Sequence, residues 1–398
     1  MSRGGAAWEV ILASASAVAV ALMVPVLSGE IRRLGAVTIP IACLAAAAFK
    51  HAMVRQDAGH TTPLQIQLAL YASFFLVRAK TVRARVVISC YQAVAMIIWG
   101  GIAAASFPGL ASRVLSAVSL RTASSNVRWL LSAKGGQGAP AFPSALELEP
   151  ALRARMGVSP TADAVPWGVS RILANGLAWC PRPVLQDYAA YTPSLDAWQA
   201  AHFEGDDGAE WILFSFRYVD GHHPFLETPA MWRALLDRYS VVDRSGDVLL
   251  LGRHDGHRLA DEQPIRRSVL GWGEWLDLPT GPGLVVLRAN VLQSWRGRLL
   301  GLLLRDLPVW LECIRADGAS ASWRTVPANL PDGAIVSILP SNLSEMQVAL
   351  QRPGMPRSPA RVRSIRFRTS SAARYRPKID VDLSLVPTTP GFAAKHPG

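Results

Sequence analysis

Val86 to Phe107 reads VVISCYQAVAMIIWGGIAAASF, 22 residues without a charge. As a helix rising about 1.5 Å per residue, this run crosses a hydrocarbon core of roughly 30 Å. In front of it, Arg78-Ala-Lys80-Thr-Val-Arg83-Ala-Arg85 puts four cations into eight positions. Positive charge beside a spanning helix tends to stay cytoplasmic. Arg85 is therefore expected inside and Phe107 outside, with the long C-terminal part beyond the cytoplasm.

Three apolar runs precede this one. Val10 to Gly29 is uncharged and of spanning length, and its weak basic flank favours a retained helix over a signal peptide. Leu34 to Phe49 is short but workable if Lys50 snorkels. Thr61 to Val77 contains Gln65 and Gln67, and either spans or lies in the interface. With the N-terminus outside, the inner loops hold Arg32, Arg33, Arg78, Lys80, Arg83 and Arg85, against Arg3, Lys50 and Arg55 outside. That excess favours four helices with both termini outside.

Charge is sparse before Arg113 and ordinary after it, so a membrane region is followed by a water-soluble one. The expected division is transmembrane helices over 1–110, a linker over 111–139 that is Gly-rich at its end, and a small α/β domain over 140–262. A β-sandwich domain over 263–390 and a flexible tail over 391–398 follow. The net charge of +12 suits anionic lipid or an acidic polymer, and an extracytoplasmic placement argues against nucleic acid. Four cysteines show no zinc-like spacing, and pairing of Cys180 with Cys313 is left open. No glycine-rich phosphate loop opens a helix, so nucleotide binding is unsupported, and no cofactor or metal is expected.

From Pro140 the pattern is globular. Helices are expected at Ser144 to Met156, Gly168 to Asn175, Ser194 to Phe203 and Thr228 to Arg238. Between them come strands at Ala162 to Trp167 and Pro183 to Tyr188. WILFSF, Trp211 to Phe216, reads as a strand buried on both faces. A hairpin of Val241-Val242 with Asp247 to Leu251 closes this part, and the rhythm implies a parallel layer. Beyond Gln263 the period shortens. Strands are expected at Leu284 to Leu287, Val309 to Ile314, Ser322 to Val326, Ile335 to Leu339, Met346 to Leu350, Arg361 to Arg368 and Ile379 to Leu385. Trp295 to Arg305 is ambiguous. These elements suggest a jelly-roll-like antiparallel β-sandwich.

Three groups of residues attract a functional reading. The outer loop Lys50 to His60 holds Lys50 and Arg55, suited to lipid phosphate, Asp57, suited to a general base, and His60, which titrates near neutrality; a plain solvated loop is the rival. Gln186, Tyr188 and Tyr191 follow a strand end, where α/β sheets place ligands, or else are hydrogen-bonded within the fold. Between Arg352 and Lys378 lie nine Arg or Lys and no Asp or Glu. Arg361, Arg363, Arg366 and Arg368 are expected to meet an acidic glycan or anionic lipid, turned outward together by a bulge at Ser364-Ile365, with a plain solvated face as the rival. Trp272, Trp275, Trp295, Trp310 and Trp323 suit sugar rings or plain packing. His222-His223 before Pro224 reads as a turn.

Pro166-Trp167, Ala174-Asn-Gly-Leu-Ala-Trp179, Pro181-Arg-Pro-Val184, Gln186-Asp-Tyr188, Tyr191-Thr-Pro193 and Asp220-Gly-His-His-Pro224, with Trp232, Leu235 and Leu236, resemble a signature of uncharacterised bacterial multi-pass membrane proteins. Phe49-Lys50 with Arg55-Gln-Asp57 and His60 resembles the loop those proteins carry between helices. The resemblance covers roughly Phe49 to Arg253. The architecture, helices and then an external domain, is similar to polyprenyl-phosphate-dependent membrane glycosyltransferases. It implies a cell-membrane protein of the envelope, acting in surface polysaccharide or glycolipid assembly on a lipid-linked sugar, or else a non-catalytic module that binds glycan or a partner membrane protein. The acidic site such enzymes carry on the first external loop has no clear counterpart here.

The charge asymmetry makes a topological prediction. Reporter fusions after Lys80 and after Gly138 should read cytoplasmic and external, respectively. A cytoplasmic signal from the second contradicts the orientation.

Overall fold

The computed structural model describes residues 142–389 except 159, 304–305, 356–357 and 359, together with residues 81, 82, 85, 86, 89, 90 and 93. The linker, the tail and the first three apolar runs lie outside the described residues. Of the fourth run and its flank, Val82, Arg85, Val86, Ser89, Cys90 and Ala93 are helical and exposed. Among the described residues, no helix is long and apolar enough to cross a membrane. Two compact units are distinguished: Met1–Ala139 with Leu299–Asp306, and Pro140–Arg298 with Leu307–Gly398.

Within the second unit, WILFS forms the middle strand of a five-stranded sheet. Its strands are β1 (Thr161–Val165), β2 (Ala178–Trp179), β3 (Trp211–Ser215), β4 (Tyr239–Ser245) and β5 (Val248–Arg253), in the order β2-β1-β3-β5-β4. Ile212, Leu213 and Phe214 are all buried. Burying each contributes about 1.5–3 kcal/mol, so an apolar run of this kind belongs at the centre, not at an edge. β1 pairs in parallel with β2 and β3, whereas the β4–β5 hairpin joins antiparallel. The sheet is mixed, because a two-residue turn at Gly246 can only return an antiparallel strand.

Side-chain alternation gives the sheet two covered faces. Ala162, Ala164, Leu213, Val248 and Leu250 pack with Leu152 of α1 (Pro150–Arg155) and Ile172 of α2 (Val169–Ala174). Ile212, Phe214, Leu249 and Leu251 face the opposite way, among side chains of α3 (Pro193–Glu204), α4 (Pro224–Glu227) and α5 (Pro229–Arg238). Phe214 and Phe225 each meet the ring of Trp232 edge-on.

The remaining strands are β6 (Gln263–Gly271), β7 (Leu276–Asp277), β8 (Leu284–Asn290), β9 (Val309–Arg315), β10 (Ser320–Arg324), β11 (Ala334–Ile335), β12 (Val362–Thr369) and β13 (Lys378–Val386). They form two four-stranded sheets, β10-β9-β12-β7 and β11-β8-β13-β6, in which every pairing is antiparallel. Their buried side chains, Leu311 and Phe367 from one and Val285 and Val381 from the other, belong to one cluster that also holds Phe214 and Trp232. Along β13, Ile379, Val381 and Leu383 are buried between wetter Asp380 and Asp382, as expected. A register shift at Leu383/Ser384 then reverses the phase, so Ser384 is buried instead of Leu385.

Several elements differ from the sequence reading, and of the strand expected at Ile335 to Leu339 only Ile335 lies in one, β11. Ser144 to Met156 is not one helix but a 3-10 turn, Ser144–Leu146, followed by α1. Pro150 lacks an amide proton, suits the first helical position and cannot continue a preceding turn. Met346 to Leu350 lies in the helix α7 (Leu343–Gln351), not in a strand. Asn342 accepts the Glu345 amide and the Glu345 carboxylate accepts the Ser341 amide, a capping pattern ahead of apolar residues spaced three and four apart. Pro183 to Tyr188 is a loop ending in a 3-10 turn, Asp187–Ala189, because its polar groups turn inward to a buried cation. Trp295–Leu303, ambiguous in sequence, is the helix α6. Cys180 and Cys313 are both free thiols.

Candidate functional site

β1 and β2, being parallel, end at the same edge of the sheet. The chain leaves β1 through Pro166-Trp167-Gly168 and leaves β2 through Cys180 to Ala190. Loops at the carboxyl ends of such strands are where α/β sheets place ligands.

One buried side chain organises both loops. The Arg182 guanidinium donates to Asp163 Oδ2 and to the Ala164 carbonyl, both at 2.7 Å, and to the Pro166 carbonyl at 2.6 Å. It also reaches the Leu185 carbonyl at 3.1 Å, Asp187 Oδ1 at 2.9 Å and, through Nε, Gln199 Oε1 at 3.0 Å. Every guanidinium nitrogen is used. Trp179 Nε1 donates to the other Asp163 oxygen at 3.1 Å. The first loop's carbonyls, the second loop's Asp187 and Gln199 of α3 thus converge on one charge. Burial pushes the Asp187 carboxyl up to about 7, with Glu227 and Asp163 adding to the rise and Arg182 opposing it. The two carboxylates raise the pKa of Arg182 against its own burial, so the guanidinium stays charged.

Above this clamp the two loops present aromatic side chains. Trp167 and Tyr188 meet edge-to-face, with ring centroids 5.5 Å apart. Tyr188 donates its hydroxyl to Gln186 Oε1 at 2.6 Å. Gln186 and Tyr191 are exposed, and Trp167 and Tyr188 half-buried. The structure therefore brings Gln186 and Tyr188 together and adds Trp167, which the sequence reading left within the signature without a role. Half-buried aromatic rings beside an exposed amide can hold an apolar surface while hydrogen-bonding its rim.

The His222-His223-Pro224 part of the signature, with Trp232, Leu235 and Leu236, is internal, and so is the neighbouring Asp196. Asp196 of α3 accepts the Ala230 and Met231 amides at 2.9 and 3.0 Å and so caps α5; burial pushes its carboxyl up to about 6. His222 Nδ1 lies 2.6 Å from Glu227 Oε1. His223 Nε2 donates to the Pro340 carbonyl at 3.0 Å while Nδ1 accepts the Phe225 amide at 3.2 Å, which fixes the neutral tautomer. Asn329, which the sequence did not single out, donates to the Ala190 and Glu227 carbonyls at 2.7 and 2.8 Å. The His222-His223 pair is thus part of a packed turn, as expected, and among the described residues no group of three or more acidic, Cys or His side chains could hold a metal ion.

The arginines of β12 separate. The bulge falls between Val362 and Ser364, one residue before its expected place, and leaves Arg363 exposed. Val362, Ile365 and Phe367 are buried. Arg361 is not on the outer face; it is buried and holds the Gly283 and Gly281 carbonyls at 3.2 and 2.8 Å. Arg366 and Arg368 share Glu312 at 2.7 and 3.0 Å, and Arg366 lies 4.3 Å above the Trp275 ring. Of the other tryptophans, Trp272 donates to the Arg376 carbonyl and Trp323 packs on His223, whereas Trp295 is exposed. Lys50, Arg55, Asp57 and His60 lie outside the described residues.

A scan against protein-family models finds no match to this chain, and searches of curated proteins and of solved structures find none either.

Burial lowers His223 to about 3. Its folded pKa thus lies below the unfolded value of about 6.5, so its contribution is complete above pH ~6.5 and is lost as pH falls toward 3, at no more than about 1.4 kcal/mol per pH unit. Asp187 and Asp196, raised instead, act with the opposite sign, so the difference from a variant isolates the histidine. Unfolding midpoints of wild type and His223→Gln, which keeps the donor, should converge on acidification from pH 6.5 to 4. Parallel curves contradict the assignment.

Proposed function

We propose that the chain is a membrane-anchored cell-envelope protein whose region after the linker binds glycan in surface polysaccharide or glycolipid assembly. The observation that carries this reading is the Trp167–Tyr188 ring pair with Gln186, raised on two loops at the carboxyl edge of a parallel strand pair and held by a buried arginine. Sugar rings offer C–H faces to aromatic surfaces and hydroxyls to amides, and this group supplies both. The anchor is the set of uncharged runs before Arg113, read as four transmembrane helices with the C-terminal region outside the cytoplasm. The two antiparallel sheets, read as a jelly-roll-like sandwich, carry the face of Arg363, Arg366 and Arg368, suited to an acidic glycan. The loop holding Lys50, Arg55, Asp57 and His60 would bring a lipid-linked sugar's phosphate to the bilayer surface, in the manner of a glycosyltransferase-like protein.

The detergent-solubilised full chain, applied to an array of neutral and acidic oligosaccharides, should retain a subset of them. Trp167→Ala and Tyr188→Ala should each weaken that binding about tenfold, equivalent to about 1.4 kcal/mol, while both variants still unfold in a cooperative transition. Retention of no glycan, or binding untouched by both substitutions, contradicts the reading.

A further inference from the structure

The helix α6, Trp295–Leu303, exposes large apolar side chains. Trp295 is 70% exposed and Leu299 58%. Its placement is built, not loose. Ser294 caps the first turn, accepting the Gly297 amide at 3.1 Å and donating to the Ala373 carbonyl at 2.9 Å. Gly297 is buried, and a Cβ there would collide with the Arg374 carbonyl. Trp272 and Tyr375, with rings 5.3 Å apart, and the Trp272 hydrogen bond to the Arg376 carbonyl brace the segment on which α6 sits.

The helix wheel resolves what this anchoring presents. At about 100° per residue, Leu299 falls ~40° from Trp295, while Gly297 lies ~160° away on the packed side. Arg296 and Arg298 flank the Trp295–Leu299 stripe on either side, at about 100° and 60°, and both are exposed. Arg296 lies 5.3 Å from the Trp295 ring centroid. Arg376 and Lys378, also exposed, belong to the bracing segment, and no Asp or Glu occurs from Val291 to Arg305 or from Arg368 to Ile379. A tryptophan and leucines between arginines, without acids, match a surface with an apolar interior and an anionic rim.

We propose that α6 lies in the surface of an anionic phospholipid bilayer, with Trp295 and Leu299 among the acyl chains and the flanking arginines at the phosphates. This contact rests on the membrane-anchored reading above, since the chain's own apolar runs keep a bilayer within reach. It is separate from the arginines of β12.

Site-specific photo-crosslinking tests it. A photoreactive amino acid replaces Leu299, Trp198 of α3 as an exposed control, or Met96 within the fourth apolar run. Each full-length variant is reconstituted in vesicles of phosphatidylethanolamine with phosphatidylglycerol, and in phosphatidylcholine alone. Lipid adducts at position 299 should exceed those at 198 about tenfold in the anionic vesicles, and fall several-fold in the neutral ones. Yields at 299 no higher than at 198, or adducts to protein in place of lipid, overturn the proposal. Adducts at 96 without adducts at 299 refute only the α6 contact, whereas their absence at both positions refutes the membrane-anchored reading with it.

Discussion

A charged arginine buried among carbonyls and carboxylates is the constraint on which the α/β region depends. Moving a cation out of water costs several kcal/mol, and only a full set of partners offsets that. Arg182 has them: Asp163 and Asp187 for charge, Gln199 for Nε, and the Ala164, Pro166 and Leu185 carbonyls for the rest. The partners come from three pieces of chain, so satisfying the arginine places the end of β1, the loop after β2 and the face of α3 together. The aromatic pair above inherits its geometry from this arrangement. Trp167 and Tyr188 are held in position by backbone tied down beneath them, not by their own contacts alone. Stacking surfaces held in this way lose little entropy when a ligand arrives.

Much of this was legible in the chain, and the parts that were not have physical causes. WILFSF announced a central strand because three consecutive buried apolar residues have no other place to go. The alternation of β13 announced a half-wet strand, up to the bulge that no period can foresee. Met346 to Leu350 was misread because short apolar stretches fit strand and helix alike; the Asn342/Glu345 cap was the deciding signal and lay just upstream. The loop at Pro183 to Tyr188 was misread because its residues look strand-like, while their polar groups answer to Arg182, a partner whose burial no local pattern reveals. Arg361 illustrates the same blindness. In sequence it is one of nine cations, yet it is spent internally on the Gly281 and Gly283 carbonyls.

The basic stretch therefore divides by role. Arg361 is structural, Arg366 and Arg368 are partly neutralised by one carboxylate, and Arg363 stands at a bulge. Exposed charge pairs of the Arg368–Glu312 kind contribute little to stability, about 0–1 kcal/mol, so their cations stay available to a polyanion. On the proposed reading, α6 would meet lipid, the aromatic pair sugar, and the cations of β12 an acidic glycan. A protein that handles lipid-linked or acidic glycans at a membrane has use for all three.

The clamp is open to direct measurement by denaturant unfolding of the detergent-solubilised full chain, comparing wild type, Arg182→Met, and Arg182→Met combined with Asp163→Asn and Asp187→Asn. The single variant strands two buried carboxylates and should lose about 3–5 kcal/mol, and the triple variant should recover a substantial part of that loss. A single variant within about 0.5 kcal/mol of wild type would contradict the claim that this arginine holds the site together.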